Sequence, residues 1–585
     1  MSEQAELLGL LAVHLTLTGL PGAAAALFAA RRGERRVPVL LAVALAASAT
    51  VGLLGFWSFY ADPLLGESCS YVFLFGSVAL IGWCLYDGGL ERSLLRELAV
   101  PAALWVLGSA FIVFLGFAHG GSDFAVAMSS TRFSGQLPTD NAIPGYFADW
   151  FFHNGHDGRP PAFPGEWLSS DRPPLQVGYL LAQRPFGNDT TGVHYQVASV
   201  VLQQLWIVGL WALLTAARVG RLSRGLATIA VVVSDLAIVN GFFVWPKLLP
   251  AALLLAAAAL VLTPLWDSIR RSLLGAALVA ALCGLAMMGH GSSVFGIVPL
   301  ALVAAYRGLP SWRWLGTAAA VGGVLLVSWA AYQKYDDPPG DRLAKWTLAG
   351  VVDVDERGTL EAAVDSYEEA GFGGTLHNKG QNLVTMAGGG PAWDVTKAAI
   401  ESGDATEIAN AVRFISFLYL LPSLGLLLLG PVAMVLWRRR GRARPAEWDL
   451  ARNCWLVVAV GLPIWGLLVF GNVPDRTVIH VCSYLLPILC IVAAVVGLRA
   501  VLPRFAIWWV GLASLLSLGL YLPALTPIPG TTYQPLSFAL AALALGGFAT
   551  LALRGEPEPG SERGPELAQL RRSPLGPVEE RADSR

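Results

Sequence analysis

Runs of mostly apolar residues, each long enough to cross a lipid bilayer, recur from one end of this chain to the other. A helix needs about 20 such residues to cross a hydrocarbon core of roughly 30 Å. Charged residues make up 14% of the 585 residues, whereas an ordinary soluble domain has about 25%. The chain therefore has too little charge to cover a water-facing surface. This excludes a soluble, fibrous or disordered protein and predicts an all-α polytopic membrane protein.

Fifteen stretches qualify as candidate membrane spans. They lie at 5–29, 38–60, 70–87, 98–118, 193–216, 225–243, 248–266, 272–289, 294–306, 314–333, 411–437, 454–471, 478–498, 505–522 and 534–553. The stretch at 294–306 is short, and the residues around Pro246 are typical of a broken or re-entrant helix. We therefore predict about 13 to 15 transmembrane helices.

Arginine predicts the orientation of these spans. If the spans are correct, one side of the membrane holds Arg31, Arg32, Arg35, Arg36, Arg92, Arg96, Arg218, Arg221, Arg224, Arg270, Arg271, Arg307, Arg313, the run from Arg438 to Arg444, Arg499 and Arg504. The positive-inside rule makes this side cytoplasmic. The N-terminus is then outside and the C-terminus is cytoplasmic. The excess of arginine over lysine suggests a bacterial source, so we expect the bacterial plasma membrane.

The predicted organisation follows from the spans. It comprises N-terminal transmembrane helices (1–118), a first outer loop (119–192), a transmembrane core (193–333), a second outer loop (334–410), C-terminal transmembrane helices (411–553) and a disordered cytoplasmic tail (554–585). The first apolar run is followed by RRGERR, which favours a retained helix over a cleaved signal peptide. The net charge of −1 gives no reason to expect a nucleic-acid partner. The six cysteines show no metal-ligand spacing.

The first outer loop contains the segments that indicate chemistry. It is rich in Trp, Tyr, Phe and Pro, which predicts an ordered loop lying against the membrane face. In TDNAIPGYFADWF, Asp140 precedes aromatic residues at helical spacing. In SSDRPPLQVGYLLAQRPF, Asp171 and Arg172 precede Pro-Pro and an apolar helix. A plain solvated loop is the alternative, and the aromatic residues argue against it.

An acid, an interfacial aromatic helix and a cation before Pro-Pro-Leu resemble, in this order, the first large outer loop of the GT-C superfamily of membrane glycosyltransferases. The resemblance is greatest to protein O-mannosyltransferases and lipid A aminoarabinose transferases, and it covers about residues 98–300. Asn141 follows Asp140 where those proteins have a second carboxylate, and Tyr146 lies further along than their tyrosine. The loop also follows the fourth predicted span, whereas in the family it follows the first.

The resemblance implies transfer of a sugar from a polyprenyl-phosphate donor to a cell-envelope glycan or lipid acceptor. We expect inversion at the anomeric carbon, because one base and one direct displacement suffice. Asp140 would take the proton of the acceptor hydroxyl, and Arg172 would hold the phosphate. No cofactor is required, and a divalent metal ion is compatible with the loop acids. The residues assigned to catalysis are Asp140, Asp149 and Asp123, and the loop residues assigned to substrate binding are Arg172, Tyr146 and Asp171, the last also an alternative acid.

Three further polar motifs lie at the outer ends of spans. NGFFVWPKLLP carries Lys247, MMGHGSSVF carries His290, and GNVPDRTVIH carries Arg476 and His480. We predict that these four residues contact a phosphate-lipid headgroup, with interfacial anchoring by Trp and Lys as the alternative. Asp235 lies inside a span, and we expect it to pair with a neighbouring helix.

The second outer loop and two other functions stay open. The glycine-rich stretch GFGGTLHNKGQNL is typical of a mobile flap that could bind an acceptor glycan, or of a solvated loop. A transporter or flippase of lipid-linked sugars would show internal repeats and several intramembrane charges, of which we find only Asp235. A glycan polymerase or ligase with a diphosphate-linked donor would depend on Arg476 and His480 and not on Asp140.

Overall fold

The computed structural model of the chain describes residues 2–86, 88–133, 137–187, 192–386, 391–419, 446–471, 482–524 and 528–554. These residues are almost entirely helical, and the β-structure among them is a single bridge between Phe163 and Trp167. The prediction of an all-α polytopic membrane protein is confirmed by this architecture and by its apolar helices.

The α-helices are numbered in chain order. The first twelve are α1 Glu3–Arg31, α2 Val37–Ala61, α3 Pro63–Tyr86, α4 Arg92–Gly116, α5 Ala125–Thr131, α6 Ile143–Asn154, α7 Leu175–Gln183, α8 Gly192–Gln203, α9 Trp206–Ala216, α10 Arg221–Val232, α11 Asp235–Phe243 and α12 Leu248–Val261. The next eight are α13 Trp266–Ile269, α14 Leu273–Gly289, α15 Val294–Arg307, α16 Trp312–Tyr335, α17 Arg342–Ala349, α18 Thr359–Met386, α19 Pro391–Ser402 and α20 Ala405–Tyr419. The remaining described helices are α21 Ala446–Leu468, α22 Leu485–Val501, α23 Pro503–Tyr521 and α24 Pro535–Arg554.

Nine segments within the described residues are long and apolar enough to cross a membrane. They are α1, α2, α3, α4 with the turn after it, α8 with α9, α16, α21, α23 and α24. Helices α10 and α11 pass the same test together but are bent by 52°, and α12, α14, α15 and α22 are shorter apolar helices. Every predicted span overlaps a described helix, but residues 87, 420–437 and 478–481 of these spans lie outside the described part of the chain. Within that part, nine helical segments, or ten with the bent pair, qualify as spans, against 13 to 15 predicted.

Three helices form the centre of the bundle, because every residue of α12 and nearly every residue of α9 and α22 are buried. Small residues let the central helices approach closely, as is usual in membranes. A Cβ atom on Gly209 of α9 would lie 2.3 Å from the carbonyl oxygen of Ala252 in α12. A Cβ atom on Gly178 of α7 would lie 2.0 Å from the carbonyl oxygen of Gly52 in α2. Neither glycine can therefore be enlarged without moving a helix.

The arginine-bearing connections meet at one end of the bundle, which we call the arginine face. Arg36 donates to Ser268 Oγ at 2.9 Å, and Arg307 donates to the carbonyl oxygen of Thr263 at 2.8 Å. These contacts join connections that are far apart in the sequence. The opposite end carries residues 119–192 and 334–410, and we call it the loop face.

Candidate functional site

The two long connections at the loop face pack against each other. Asp337, whose side chain is 1% exposed, pairs with Arg159 at 2.7 Å. The same carboxylate accepts hydrogen bonds from Ser169 Oγ at 2.6 Å and from the backbone N–H of Ser170 at 3.1 Å. The acidic start of the second loop thus holds the 3-10 turn Ser169–Asp171, which leads to Arg172. Sequence reasoning missed this role of Asp337, because its neighbour Asp336 is equally acidic and only the fold buries one of them.

Asp140 and Arg172 form the central ion pair of the site. Arg172 Nη2 lies 2.9 Å from Asp140 Oδ2, and the two side chains are only 8% and 12% exposed. Asp140 Oδ1 and Arg172 Nε are both buried and have no hydrogen-bond partner among the residues that the structure describes. Buried polar atoms are rarely left unpaired in proteins. The pair therefore offers one acceptor and one donor, side by side, to a bound molecule.

Local sequence explains how both side chains reach this place. Asp140 sits in a short 3-10 turn, Thr139–Ala142, which runs directly into α6. Pro144 occupies the first turn of α6, where its missing N–H costs nothing. On the other side of the pair, the backbone is extended at Arg172, and Pro173 and Pro174 then lead into α7. The aromatic residues at helical spacing form α6, as predicted, and their Phe151 packs 5.2 Å from Phe56 of α2.

Trp167 supports the guanidinium of Arg172. The Arg172 Cζ atom lies 4.5 Å from the centroid of the Trp167 ring, and Arg342 Cζ lies 4.2 Å from the same centroid. Trp346, one turn along α17 from Arg342, also approaches Trp167, with ring centroids 6.5 Å apart. The second long connection thus reaches the candidate site through the Trp167 ring.

Lys247 adds a second cation to the site. It occupies the turn between α11 and α12, is 4% exposed, and lies within electrostatic range of Asp140 and Arg172. Its Nζ atom lies 4.8 Å from the centroid of the Trp245 ring and 5.5 Å from that of Tyr484. Burial lowers the pKa of Lys247 to about 7, with a further lowering by Arg172 that Asp140 and Cys482 oppose. Asp140, Arg172 and Lys247 together carry one more positive than negative charge when the lysine is protonated.

Two tyrosines that sequence reasoning missed complete the surroundings of Asp140. Tyr195 of α8 donates its hydroxyl hydrogen bond to the carbonyl oxygen of Asn141. Tyr484, just before α22, donates to Asn240 Oδ1 at 2.8 Å. Both tyrosines interact electrostatically with Asp140. Each is a single residue at the end of an apolar run, so only the fold shows that it belongs here.

Asn141 and Tyr146, where the chain departs from the GT-C pattern, do not join the Asp140–Arg172 pair. Asn141 is completely buried and points away from the ion pair, because its Nδ2 donates to Ser129 Oγ at 2.6 Å and its Oδ1 accepts from Ser130 Oγ at 3.4 Å. Asn141 thus fastens the loop to α5. Tyr146 lies on α6 and packs its ring 5.5 Å from that of Phe163.

The other predicted acids have their own partners or are exposed, and Asp171 is the one that lies next to Arg172. Asp149, 47% exposed, pairs with Arg184 at 3.2 Å. Asp171 is buried and accepts from the backbone N–H groups of Leu168 at 2.9 Å and Arg342 at 3.3 Å. Burial raises the pKa of Asp171, and these two hydrogen bonds oppose the rise. Asp123 is exposed in the turn Ser122–Phe124.

The remaining predicted residues divide into two groups. His290 is buried at the start of the turn Gly291–Ser293, where its Nδ1 accepts from the N–H of Ser292 at 3.1 Å. Asp235 begins α11 and accepts from Ser517 Oγ of α23 at 3.0 Å, which is the helix pairing expected for it. Arg476 and His480 lie outside the described residues.

The glycine-rich part of the second loop is helical. It belongs to α18, which is interrupted at Gly371, where φ is 60°. Lys379 of α18 donates to the carbonyl oxygen of Val469 at 2.7 Å, and Asn382 donates to that of Gly466 at 2.9 Å. Of the polar residues in this stretch, Lys379 and Asn382 therefore bind the carboxyl end of α21.

Within the part of the chain that the structure describes, no three His, Cys, Asp or Glu side chains come together to form a metal site. Comparison of the chain with protein-family models, with curated proteins and with solved structures gave no match.

Proposed function

We propose that this multi-pass membrane protein is a glycosyltransferase of GT-C type. It would move a sugar from a polyprenyl-phosphate donor to a cell-envelope glycan or lipid acceptor at the loop face. The observation that carries the proposal is the Asp140–Arg172 pair, in which the buried atoms Asp140 Oδ1 and Arg172 Nε have no hydrogen-bond partner in the described part of the chain. A transferase of this kind needs an acceptor for a hydroxyl proton beside a donor for a phosphate oxygen.

The chemistry follows from these two atoms. The acceptor hydroxyl gives its proton to Asp140 Oδ1 while its oxygen forms a bond to the anomeric carbon. The bond between that carbon and the phosphate oxygen breaks, and the polyprenyl phosphate leaves with one additional negative charge. Arg172 Nε and the ammonium group of Lys247 stabilise that charge. A single displacement inverts the configuration at the anomeric carbon.

The net charge of the site supports an anionic donor. Arg172 and Lys247 are two cations close to the single carboxylate of Asp140, and both attract the negative charge of a phosphodiester.

The position of the site supports a substrate carried by a lipid. The Asp140–Arg172 pair lies where the loop-face connections meet the ends of the apolar helices α7, α11 and α12. A polyprenyl chain can remain in the bilayer while its phosphate reaches the pair. We further propose that the loop face is the outer face of a bacterial plasma membrane, since the arginine face then satisfies the positive-inside rule.

The test compares cells that express the wild-type chain with cells that express Asp140→Asn, a nearly isosteric change. Mass spectrometry of polyprenyl-phosphate sugars and of envelope glycans should reveal one accumulated donor and one missing linkage. We expect transfer to fall by a factor of about 100 or more. Asp149→Asn, which removes a carboxylate from the same loop outside the pair, serves as the matched control and should keep the linkage.

A wild-type profile in Asp140→Asn cells, together with an altered profile in cells that lack the gene, would refute the role of Asp140. The transporter and the diphosphate-dependent polymerase would then be tested next. For the polymerase, the variant to examine is Arg476→Gln, since that function depends on Arg476 and His480.

A further inference from the structure

The turn that carries Lys247 has an unusual backbone. Val244 adopts φ 56° and ψ 22°, a left-handed conformation that a β-branched residue rarely takes. Such a conformation persists only where the surroundings impose it. The surroundings here are three buried glutamines, Gln176, Gln196 and Gln203.

Gln176 connects the turn to the helix that follows Arg172. It lies in the first turn of α7 and is 1% exposed. Its Nε2 donates to Ser199 Oγ at 3.2 Å and lies 3.4 Å from the carbonyl oxygen of Val244, the strained residue. Gln196 of α8 donates to the carbonyl oxygen of Phe242 beside it. The carboxyl end of α11 is thus held by side chains of α7 and α8.

Gln203 holds the other side of the turn. Its Oε1 accepts from the N–H of Leu248 at 3.0 Å and from that of Leu249 at 3.1 Å, the two residues directly after Lys247. Its Nε2 donates to Gln176 Oε1 at 3.2 Å. A broken helix at membrane depth requires such partners for its backbone groups. Gln176 and Gln203 therefore form one continuous link between α7 and both ends of the turn.

We propose that Gln176 and Gln203 are positioning residues, which fix the distance between Arg172 and Lys247 so that both cations contact one phosphate group. This inference rests on the proposed function. Lysine has a long and flexible side chain, so its ammonium group can be placed only by fixing the backbone beneath it. Arg172 is placed by α7, and Gln176 belongs to that same helix.

Loss of the link should release Lys247 toward water. Without Gln203, the N–H groups of Leu248 and Leu249 lose their buried acceptor. Without Gln176, the carbonyl of Val244 loses a donor and the left-handed backbone can relax. The groups that act on the lysine are Asp140, Arg172 and Cys482, with the rings of Trp245 and Tyr484 against it. A lysine that reaches water regains its ordinary pKa near 10.4.

The experiment uses the full-length protein in lipid nanodiscs and the methyl ester of geranylgeranyl phosphate as the probe, because this phosphodiester, unlike a monoester, keeps one negative charge over the whole pH range. Binding to the wild type is measured from pH 5.5 to 9, and we expect affinity to fall as the pH rises through about 7. Gln176→Met and Gln203→Met should each lower the affinity at pH 6 by about tenfold. They should also move the midpoint of the pH dependence upward, which a general loss of stability would not do.

Gln183→Met is the matched control. Gln183 is a second buried glutamine on α7, but it is bonded to His14 at 2.8 Å and Thr18 at 3.0 Å, away from the turn. Its variant should bind the probe with the wild-type midpoint. Wild-type midpoints in Gln176→Met and Gln203→Met would overturn the inference while leaving the proposed function intact. Failure of the wild type to bind the probe at any pH would instead count against the proposed function.

A second measurement needs no ligand. Lys247→Cys is made alone and together with Gln203→Met, and the alkylation rate of the introduced thiol by a water-soluble maleimide is compared. The position is 4% exposed with the link in place, so alkylation should be slow and should accelerate at least about tenfold when Gln203 is replaced. Equal rates in the two backgrounds would also overturn the inference.

Discussion

Arg342 places its guanidinium 4.2 Å from the centroid of the Trp167 ring, and through that ring the second long connection acts on the Asp140–Arg172 pair. Arg342 also donates to the carbonyl oxygens of Gly165 at 2.8 Å and Val352 at 2.9 Å. It therefore fixes the indole from one connection while the indole supports Arg172 on the other. The two long connections are thus joined at the loop face through the Trp167 ring.

Arg342→Gln should weaken donor binding indirectly, through the Trp167 ring that supports Arg172. A cation–π contact contributes about 1 kcal/mol, which corresponds to about a fivefold loss of affinity for the polyprenyl-phosphate probe. The measurement is a binding titration in nanodiscs. Arg357→Gln is the control, because Arg357 pairs only with Asp355 and Asp365 among the described contacts of its side chain. An affinity loss of equal size in the control would show that general loop charge is responsible.

Asp337→Asn should destabilise the layer formed by the two connections. The buried carboxylate accepts from Arg159, from the hydroxyl of Ser169 and from the N–H of Ser170. The side-chain amide of Asn cannot accept from all three. We expect a loss of about 1–3 kcal/mol in the free energy of unfolding. Denaturant unfolding in detergent micelles measures it. Asp336→Asn, which changes one exposed hydrogen bond to Tyr60, should lose much less; equal losses would contradict the assigned role of Asp337.

The pH dependence of transfer should report on Lys247. Its pKa of about 7 means that the ammonium form, which attracts phosphate, predominates below that pH and is lost above it. The kcat/KM of the free enzyme should therefore fall as the pH rises through about 7. Lys247→Arg keeps its charge at every accessible pH, so the falling limb should disappear in this variant. Persistence of that limb in Lys247→Arg would assign the titration to another group.

Asn141→Asp restores the second acid of the resemblance, yet we expect it to impair the protein. Asn141 is fully buried, and its Nδ2 donates to Ser129 Oγ at 2.6 Å. A carboxylate cannot donate there, and its charge would lie in a dry environment beside Asp140. The unfolding free energy should drop by about 2 kcal/mol or more, with transfer unchanged or reduced. Enhanced transfer at normal stability would show that the site uses two acids.

Hydropathy predicts the helices well because the bilayer imposes a minimum apolar length on each span. Hydropathy does not predict where a span is broken. Residues 225–243 form one apolar stretch, but the structure has two helices there, α10 and α11, bent by 52°. The bend lies beside Ser234, whose side chain caps α11 by accepting from the N–H of Ala237. A capping serine within an apolar run is too short a signal to predict a break from sequence.

The site could be predicted only where its residues stand in a motif. The sequence predicts a role for Asp140 and for Arg172 because each precedes a recognisable helix. The fold then brings the two side chains together across 32 residues. Gln203, Tyr484 and Asp337 carry no such signal. Each is a single polar residue whose partner lies far along the chain, and its role depends on burial that composition cannot reveal.

Helix α12 contacts α2 and α9, which precede it in the chain, and also α14, α15 and α22, which follow it. A membrane protein is threaded into the bilayer from its N-terminus, so Asp140, Arg172 and Lys247 enter the membrane well before Tyr484 and α22. During synthesis, the turn that carries Lys247 is thus inserted before Tyr484 and α22 can pack against it. The proposed site of the nascent chain is therefore unfinished until almost all of its helices have been inserted.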